Sequence, residues 1–269
     1  MYEAHFGLQE RPFSKTPDPR FLFLSKGHRE ALARMQYAVE ERDLVLLTGE
    51  IGCGKTTLSR ALMDTLDESF KVICLINPRL TPLEFLRSLA RHLGALEPAR
   101  FKVDLLEQIG KILFQYYENG MTPVVVIDEA QLVPHKETFD EIRLLTNFQL
   151  DDRNLLSLVL MGQPELKQRL RHRAYEPLRQ RIGMQFELTP LSQPETAEYL
   201  DFRMVVAGGH PGLFSAAAVV ALYAYSRGTP RMINHAASLA LLEGFGRGDD
   251  HIGREVVDAV MMEIGDNWE

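Results

Sequence analysis

Read for apolar periodicity, the chain changes rhythm twice. Residues 26–41, "KGHREALARMQYAVEE", set Ala31, Met35 and Val39 four apart, the spacing of one helix face. From Leu44 onward, short apolar runs alternate with helical stretches. The runs at 44–48, 71–76, 123–131, 155–162 and 184–189 read as strands. Helices are predicted between them at 55–67, 82–93, 103–118 and 137–150, with a shorter one before residue 184. In the third of these, Leu105, Leu106, Ile109, Ile112 and Leu113 share a face. Strands that are apolar throughout and separated by helices imply a parallel sheet covered on both faces. After Pro190 the strand signal stops. Ser192 with Glu195 forms a capping box that opens a helix to residue 207, and helical patterns follow at 215–226, 230–244 and 254–264.

The first 25 residues follow neither rhythm. In "FGLQERPFSKTPDPRFLFLS", Pro12, Pro17 and Pro19 exclude a continuous helix, so an extended segment is expected. Phe6, Phe13, Phe21 and Phe23 would anchor it against a core. Three parts result: a docked segment with its helix (1–43), an α/β portion (44–190) and a small all-helical portion (191–269).

Composition narrows the class. Of 269 residues, 45% are apolar and 25% charged, ordinary values for a globular protein. A net charge of −7 speaks against a dedicated nucleic-acid binder, which needs clustered Lys and Arg to neutralise phosphates. The two cysteines, Cys53 and Cys74, have no metal-ligand spacing, and a reducing compartment is the simplest reading. The start "MYEAHFGLQERPF" lacks the pattern of a signal peptide. No apolar run approaches the roughly 20 residues that span a bilayer. A cytoplasmic protein is expected.

The chemistry is concentrated in "LLTGEIGCGKTTLSRAL" (46–62). Within it, "GEIGCGKT" fits G-x-x-x-x-G-K-[ST], after a predicted strand and before a predicted helix. Gly49, Gly52 and Gly54 let the backbone turn tightly, so that the amides of the loop, Glu50, Ile51 and Cys53 included, face an anion. The start of the helix adds its positive end. Lys55 would reach the β- and γ-phosphates of a nucleotide, the Thr56 hydroxyl would bind Mg²⁺, and Thr57 would meet the α-phosphate. The plain alternative, a glycine turn with a surface lysine, leaves the strand and helix around it unexplained. Cys53 has two open readings: a thiol activated by the helix end, or a small residue at a tolerant position.

A second strand, "VVVIDEA" (124–130), delivers Asp128 and Glu129 at its carboxyl end, the edge where open parallel sheets bind ligands. Asp128 would hold the metal and Glu129 would act as general base on water. The competing reading is an acid pair on a helix N-terminus, a dipole effect of about 0.3–1 kcal/mol. An acid placed to act on water favours hydrolysis over transfer to a small acceptor.

The run "MYEAHFGLQERPFSKTPDPRFLFLSKGHREALARMQYAV", the glycine loop, "VVVIDEAQL", "LVLMGQPELKQRL", "LRQRI" and "GTPRMINHAASLALLEG" together resemble AAA+ ATPases of the general secretion pathway protein A (ExeA-like) type. Transposition and origin-recognition ATPases are similar at greater distance. The resemblance implies a three-layer P-loop AAA+ core with a parallel sheet, followed by a helical lid, using ATP and Mg²⁺. It puts Gln163 at the sensor-1 position, where the alternative is a turn residue before Pro164. Arg179 and Arg181 fall in the arginine-finger region, and Arg181 best matches the family pattern. Arg231 matches sensor 2; a cation is unfavourable at a helix N-terminus, so an anionic partner would explain it. His28 and the N-terminal aromatics border the adenine or belong to a core.

The stretch 167–181 holds six Lys and Arg against one acid, which reads as a subunit-facing surface or a nucleic-acid patch. The implied protein is a homo-oligomer with arginine fingers acting in trans. Its hydrolysis of ATP would drive a secretion-associated or cell-envelope assembly, at the inner-membrane face through a partner. The alternative is an ATP-dependent DNA-binding regulator of the transposition type. Secretion-type members continue into a membrane helix and a periplasmic domain, which leaves open a stand-alone chain or the ATPase part of a longer one.

Overall fold

The computed structural model describes residues 1–14, 18–76, 78–151 and 153–266; Pro17, counted above against a helix, lies outside them. The first elements are α1 (Tyr2–His5), α2 (Lys26–Glu40), β1 (Leu44–Gly49), α3 (Lys55–Thr65), β2 (Phe70–Leu75), α4 (Pro82–Leu93), α5 (Lys102–Glu118) and β3 (Thr122–Ile127). Then come α6 (Lys136–Leu145), β4 (Ser157–Gly162), α7 (Pro164–Arg171), α8 (Glu176–Arg179) and β5 (Ile182–Leu188). Helices α9 (Gln193–Val206), α10 (Ala216–Ser226), α11 (Pro230–Arg247) and α12 (Arg254–Asp266) follow. By contacts the chain divides into two compact units. One comprises His28–Ile51 and Leu58–Leu188; the other comprises Met1–Gly27, Gly52–Thr57 and Thr189–Glu269.

The first unit holds a five-stranded parallel sheet in the order β2-β3-β4-β1-β5. Burial explains that order. Every residue of β1, β3 and β4 is buried, as strands with neighbours on both sides and helices on both faces must be. The outer strand β5 alternates partly exposed and exposed positions up to its buried last residue, and in β2 only Ile73 and Leu75 are buried. Leu44 and Leu46 of β1 register with Leu158 and Leu160 of β4, building one continuous apolar layer. Helix α4 starts at a capping box between Thr81 and Glu84 and stops at Gly94, whose φ of 111° ends the helix. Its buried face, Phe85, Leu86, Leu89, Ala90 and Leu93, joins one core with Leu105, Ile109 and Leu113 of α5 and Phe139 and Ile142 of α6. Truncating such a phenylalanine to alanine costs about 3–5 kcal/mol.

Two elements end earlier than the periodicity predicts. The run 123–131 stops being a strand at Ile127, where the pairing with β2 also ends at Leu75. The chain then turns: the Glu129 N–H donates to Asp128 Oδ1, and Leu132 N–H donates to the Glu129 carbonyl. The helix predicted to reach residue 150 stops at Leu145, because Thr146, Asn147 and Phe148 close tight turns onto the carbonyls three residues back.

In the second unit, α9 opens at the predicted Ser192–Glu195 capping box. Phe13 and Phe21 pack into its core with Tyr199, Leu200, Met204, Phe214, Leu222 and Ile233. The N-terminal segment, expected to be extended, contains the short α1 and a 3₁₀ turn at Pro19–Phe21. Its dock is a buried cation. Arg203 Nε donates to the Pro12 carbonyl at 2.5 Å, and the guanidinium stacks over the Phe21 ring at 4.6 Å. Among the described residues, no helix is long and apolar enough to cross a membrane.

Candidate functional site

From β1 the chain crosses to the far edge strand β2, returns through β3 and β4 to lie beside β1, and adds β5 on the other side. The carboxyl end of β1 is therefore where connections part, the position at which open α/β sheets take ligands. The glycine loop leaves from that end. Gly49 allows it, since a Cβ there would come within 2.6 Å of the Leu188 carbonyl oxygen. Gly52 and Gly54 have φ of 83° and 99°, and α3 begins at Lys55. Backbone N–H groups of this loop and of the first helical turn are the anion-binding groups of such a motif. Lys55 is buried and Thr56 exposed.

Arg231 meets this loop within the second unit. The Arg231 N–H donates to the Gly52 carbonyl at 3.4 Å, and a Cβ on Gly52 would stand 2.7 Å from Arg231 Cβ. The "GTPR" segment is pinned to that place. A Cβ on Gly228, where φ is 77°, would lie 1.8 Å from the Leu191 carbonyl oxygen, and the Gly228 carbonyl accepts the Leu191 N–H at 2.9 Å. Thr229 and Pro230 then start α11. Gly52→Ala is expected to displace Arg231 and strain the loop, the left-handed conformation alone costing about 1–2 kcal/mol. Nucleotide affinity should fall by about tenfold or more with the protein still folded, as read by titration with a fluorescent nucleotide beside a thermal melt.

At the carboxyl edge of β3, Asp128 is buried and its Oδ1 accepts the Glu129 N–H at 2.8 Å. Glu129 takes left-handed backbone angles, φ 53° and ψ 37°, uncommon for a residue with a side chain. Its Oε2 accepts from Gln131 Nε2 at 2.5 Å and from Gln163 Nε2 at 3.2 Å. Gln163 caps α7 ahead of Pro164, so it is both the turn residue and a polar contact of Glu129. Its backbone N–H donates to Gln131 Oε1 at 3.1 Å. Gln131 was not singled out by sequence; its one signal is its place two residues after Glu129.

The finger candidates lie elsewhere. Arg179 Nη1 donates to the Leu170 and Arg171 carbonyls at 3.4 and 3.0 Å. Arg181 stands just before β5, at the amino edge of the sheet, with its Nη2 donating to Asn147 Oδ1 at 3.2 Å. The glycine loop leaves from the opposite edge, a strand length of about 20 Å away. The rest of the basic stretch is partly engaged: Lys167 pairs with Glu187, and Arg169 donates to the Val133 and Pro134 carbonyls while stacking on Phe139. Arg171 and Arg173 are exposed.

His28 is buried in the first unit, while Phe13 and Phe21 are core residues of the second. Cys53 is fully buried, which favours the small-residue reading over a redox thiol. The Cys74 thiol is pushed up by burial and further by the Asp128 carboxylate. Among the described residues, no group of three or more His, Cys, Asp or Glu could hold a metal ion. Thr56 carries a hydroxyl and Asp128 a carboxylate, each a hard oxygen of the kind Mg²⁺ takes.

Sheet order, glycine loop and helical segment give the chain the fold of P-loop AAA+ proteins. An AAA domain family matches residues 38–170. One relative is general secretion pathway protein A of Aeromonas hydrophila, 40% identical over 268 residues, which covers 98% of this chain and 48% of that protein. The resemblance predicted from sequence thus holds along nearly the whole chain, which spans about half the relative's length. Among solved structures, ORC2 of Aeropyrum pernix in its ADPNP–ADP complexes is similar with a TM-score of 0.69 at 18% identity, over 95% of this chain and 72% of that one. The RuvB Holliday junction branch migration motor of Thermotoga maritima gives 0.60 at 22% identity, over 88% and 68%. At those identities the likeness is one of fold.

Proposed function

We propose that this chain binds ATP with Mg²⁺ and hydrolyses it, and that it works as a homo-oligomer in a secretion-associated or cell-envelope assembly. One observation carries the reading: a glycine loop and an Asp128–Glu129 pair leave the same edge of a parallel sheet. The loop amides and Lys55 bind the phosphates, and Thr57 meets the α-phosphate. Thr56 and Asp128 would hold Mg²⁺, whose chemistry is to neutralise charge on the β- and γ-phosphate oxygens. Glu129 takes a proton from the attacking water as that oxygen bonds to the γ-phosphorus. The bond to the β–γ bridging oxygen breaks, and ADP leaves with it. Gln163 orients the base and Arg231 balances charge growing on the γ-phosphoryl oxygens.

Arg181, a strand length from its own loop, would complete a neighbour's site in trans. The envelope role rests on similarity to general secretion pathway protein A, of which this chain spans about half. ATP hydrolysis per subunit, measured as protein concentration rises, tests the oligomer. Specific activity should climb, and Arg181→Ala should lose most of it, since an arginine finger contributes about 10³–10⁵-fold. A flat rate that ignores Arg181 would refute action in trans. The DNA-regulator alternative needs a basic surface, and four of the six cations in 167–181 are held by other groups of the chain.

A further inference from the structure

We propose that Gln131 is a positioning residue for Glu129: it grips one carboxylate oxygen of the base and ties it to the end of β4, so that the other oxygen is presented to water. The inference deepens the reading of Glu129 as general base and rests on it.

The geometry is a closed ring of three residues, two links made by side-chain amides and the third by the Gln163 backbone N–H. Glu129 Oε2 accepts two amide N–H donors, from Gln131 at 2.5 Å and Gln163 at 3.2 Å. Among the described residues, Oε1 has no hydrogen-bond partner. A carboxylate base needs one oxygen for the proton, and here that oxygen is singled out by what holds its twin. The orientation of the Gln131 amide is fixed: its Oε1 faces the Gln163 backbone N–H, a donor, at 3.1 Å, so its Nε2 must face the carboxylate. A glutamine is the side chain of this length that donates and accepts at once. Glutamate would set carboxylate against carboxylate, and methionine would offer neither group.

The backbone is shaped around this contact. Glu129 sits in the left-handed region, kept there by the Asp128 side chain and by the turn onto Leu132. Such conformations persist where surrounding structure holds them, and they concentrate at functional sites. Gly162, last in β4, leaves room: a Cβ there would approach Gln131 Oε1 to 2.8 Å and Leu166 Cδ2 to 2.7 Å. Gln131 thus links the turn after β3 to the residue after β4, and a shift of Gln163 would reach Glu129 through two bonds at once.

The test compares Gln131→Met, Gln163→Met, the double variant and Glu129→Gln in the full chain. Gln131→Met should lower kcat about 10–100-fold, as misplacing a catalytic group does, with affinity for a non-hydrolysable ATP analogue unchanged within about twofold. The losses in the double variant should fall short of the product of the singles, because both amides act on one oxygen. A second readout does not need turnover. In ¹⁵N spectra, Glu129→Gln should move the side-chain NH₂ signals of both Gln131 and Gln163, and Gln131→Met should move the Gln163 backbone amide. An unchanged kcat in Gln131→Met, or a loss shared equally by kcat and nucleotide affinity, would overturn the proposal. If instead Glu129→Gln keeps full turnover, the base assignment itself has failed. The spectra then still report whether Gln131 holds that carboxylate.

Discussion

Glu129→Gln is expected to lower kcat for ATP hydrolysis by about 10²–10⁴-fold, the usual contribution of a positioned general base. The substitution keeps the length and planarity of the side chain and one oxygen able to accept from Gln131 and Gln163. It removes only basicity. At 1.36 kcal/mol per decade, the loss corresponds to about 3–5 kcal/mol in the barrier. Binding should persist, because the phosphates are held by Lys55 and the loop amides rather than by this acid. A fall in kcat with nucleotide affinity intact is the signature of a group that acts mainly in the transition state. Steady-state kinetics beside a nucleotide titration separate the two quantities.

Arg203→Ala is expected to be the most costly single change in the helical unit, at about 3–5 kcal/mol. Three losses accumulate. The Pro12 carbonyl loses its donor, and a buried acceptor left unmade costs about 1–3 kcal/mol. The stack on Phe21 at 4.6 Å goes, worth up to about 2 kcal/mol where desolvated. The side-chain stem leaves a hole among Phe13, Phe21 and Tyr199. Against these stands relief of burying a charge, visible in the lowered pKa of Arg203, whose first cause is desolvation. The losses outweigh that relief because the remaining carbonyls stay buried without the cation. Urea denaturation should show the drop, and hydrogen exchange should show where it lies. The Gln9 amide, bonded to the Ala207 carbonyl at 2.8 Å, should lose protection early. Unchanged stability would mean the segment is docked by its aromatics alone.

The sheet and the glycine loop were legible because each leaves a local mark. Strands buried on both faces read as unbroken apolar runs, and the loop's residues are fixed by spacing along the chain. What escaped depends on distant partners. Phe13 and Phe21 announce burial, but their core is set by Arg203, which is 191 positions from the Pro12 carbonyl it binds. The run "VVVIDEAQ" reads as one strand because nothing in it says that the β2 ladder ends at Leu75. Gln131 acquires meaning only from the Gln163 amide 32 residues away. Arg179 and Arg181 look alike in sequence; the structure separates them, folding one onto helix carbonyls and setting the other beside Asn147. Arg231 was legible as a cation misplaced at a helix start, and the structure puts its backbone against Gly52.

The most direct test follows the fate of bound ATP in a single turnover. Radiolabelled ATP is loaded with Mg²⁺ onto the wild-type chain and onto Glu129→Gln at protein concentrations that favour assembly, then chased and quenched over time. The wild type should convert its bound ATP to ADP and phosphate, while the variant retains ATP over the same interval. If both hold ATP unchanged, the chain is not the hydrolytic engine described; if both convert it at the same rate, Glu129 is not the base.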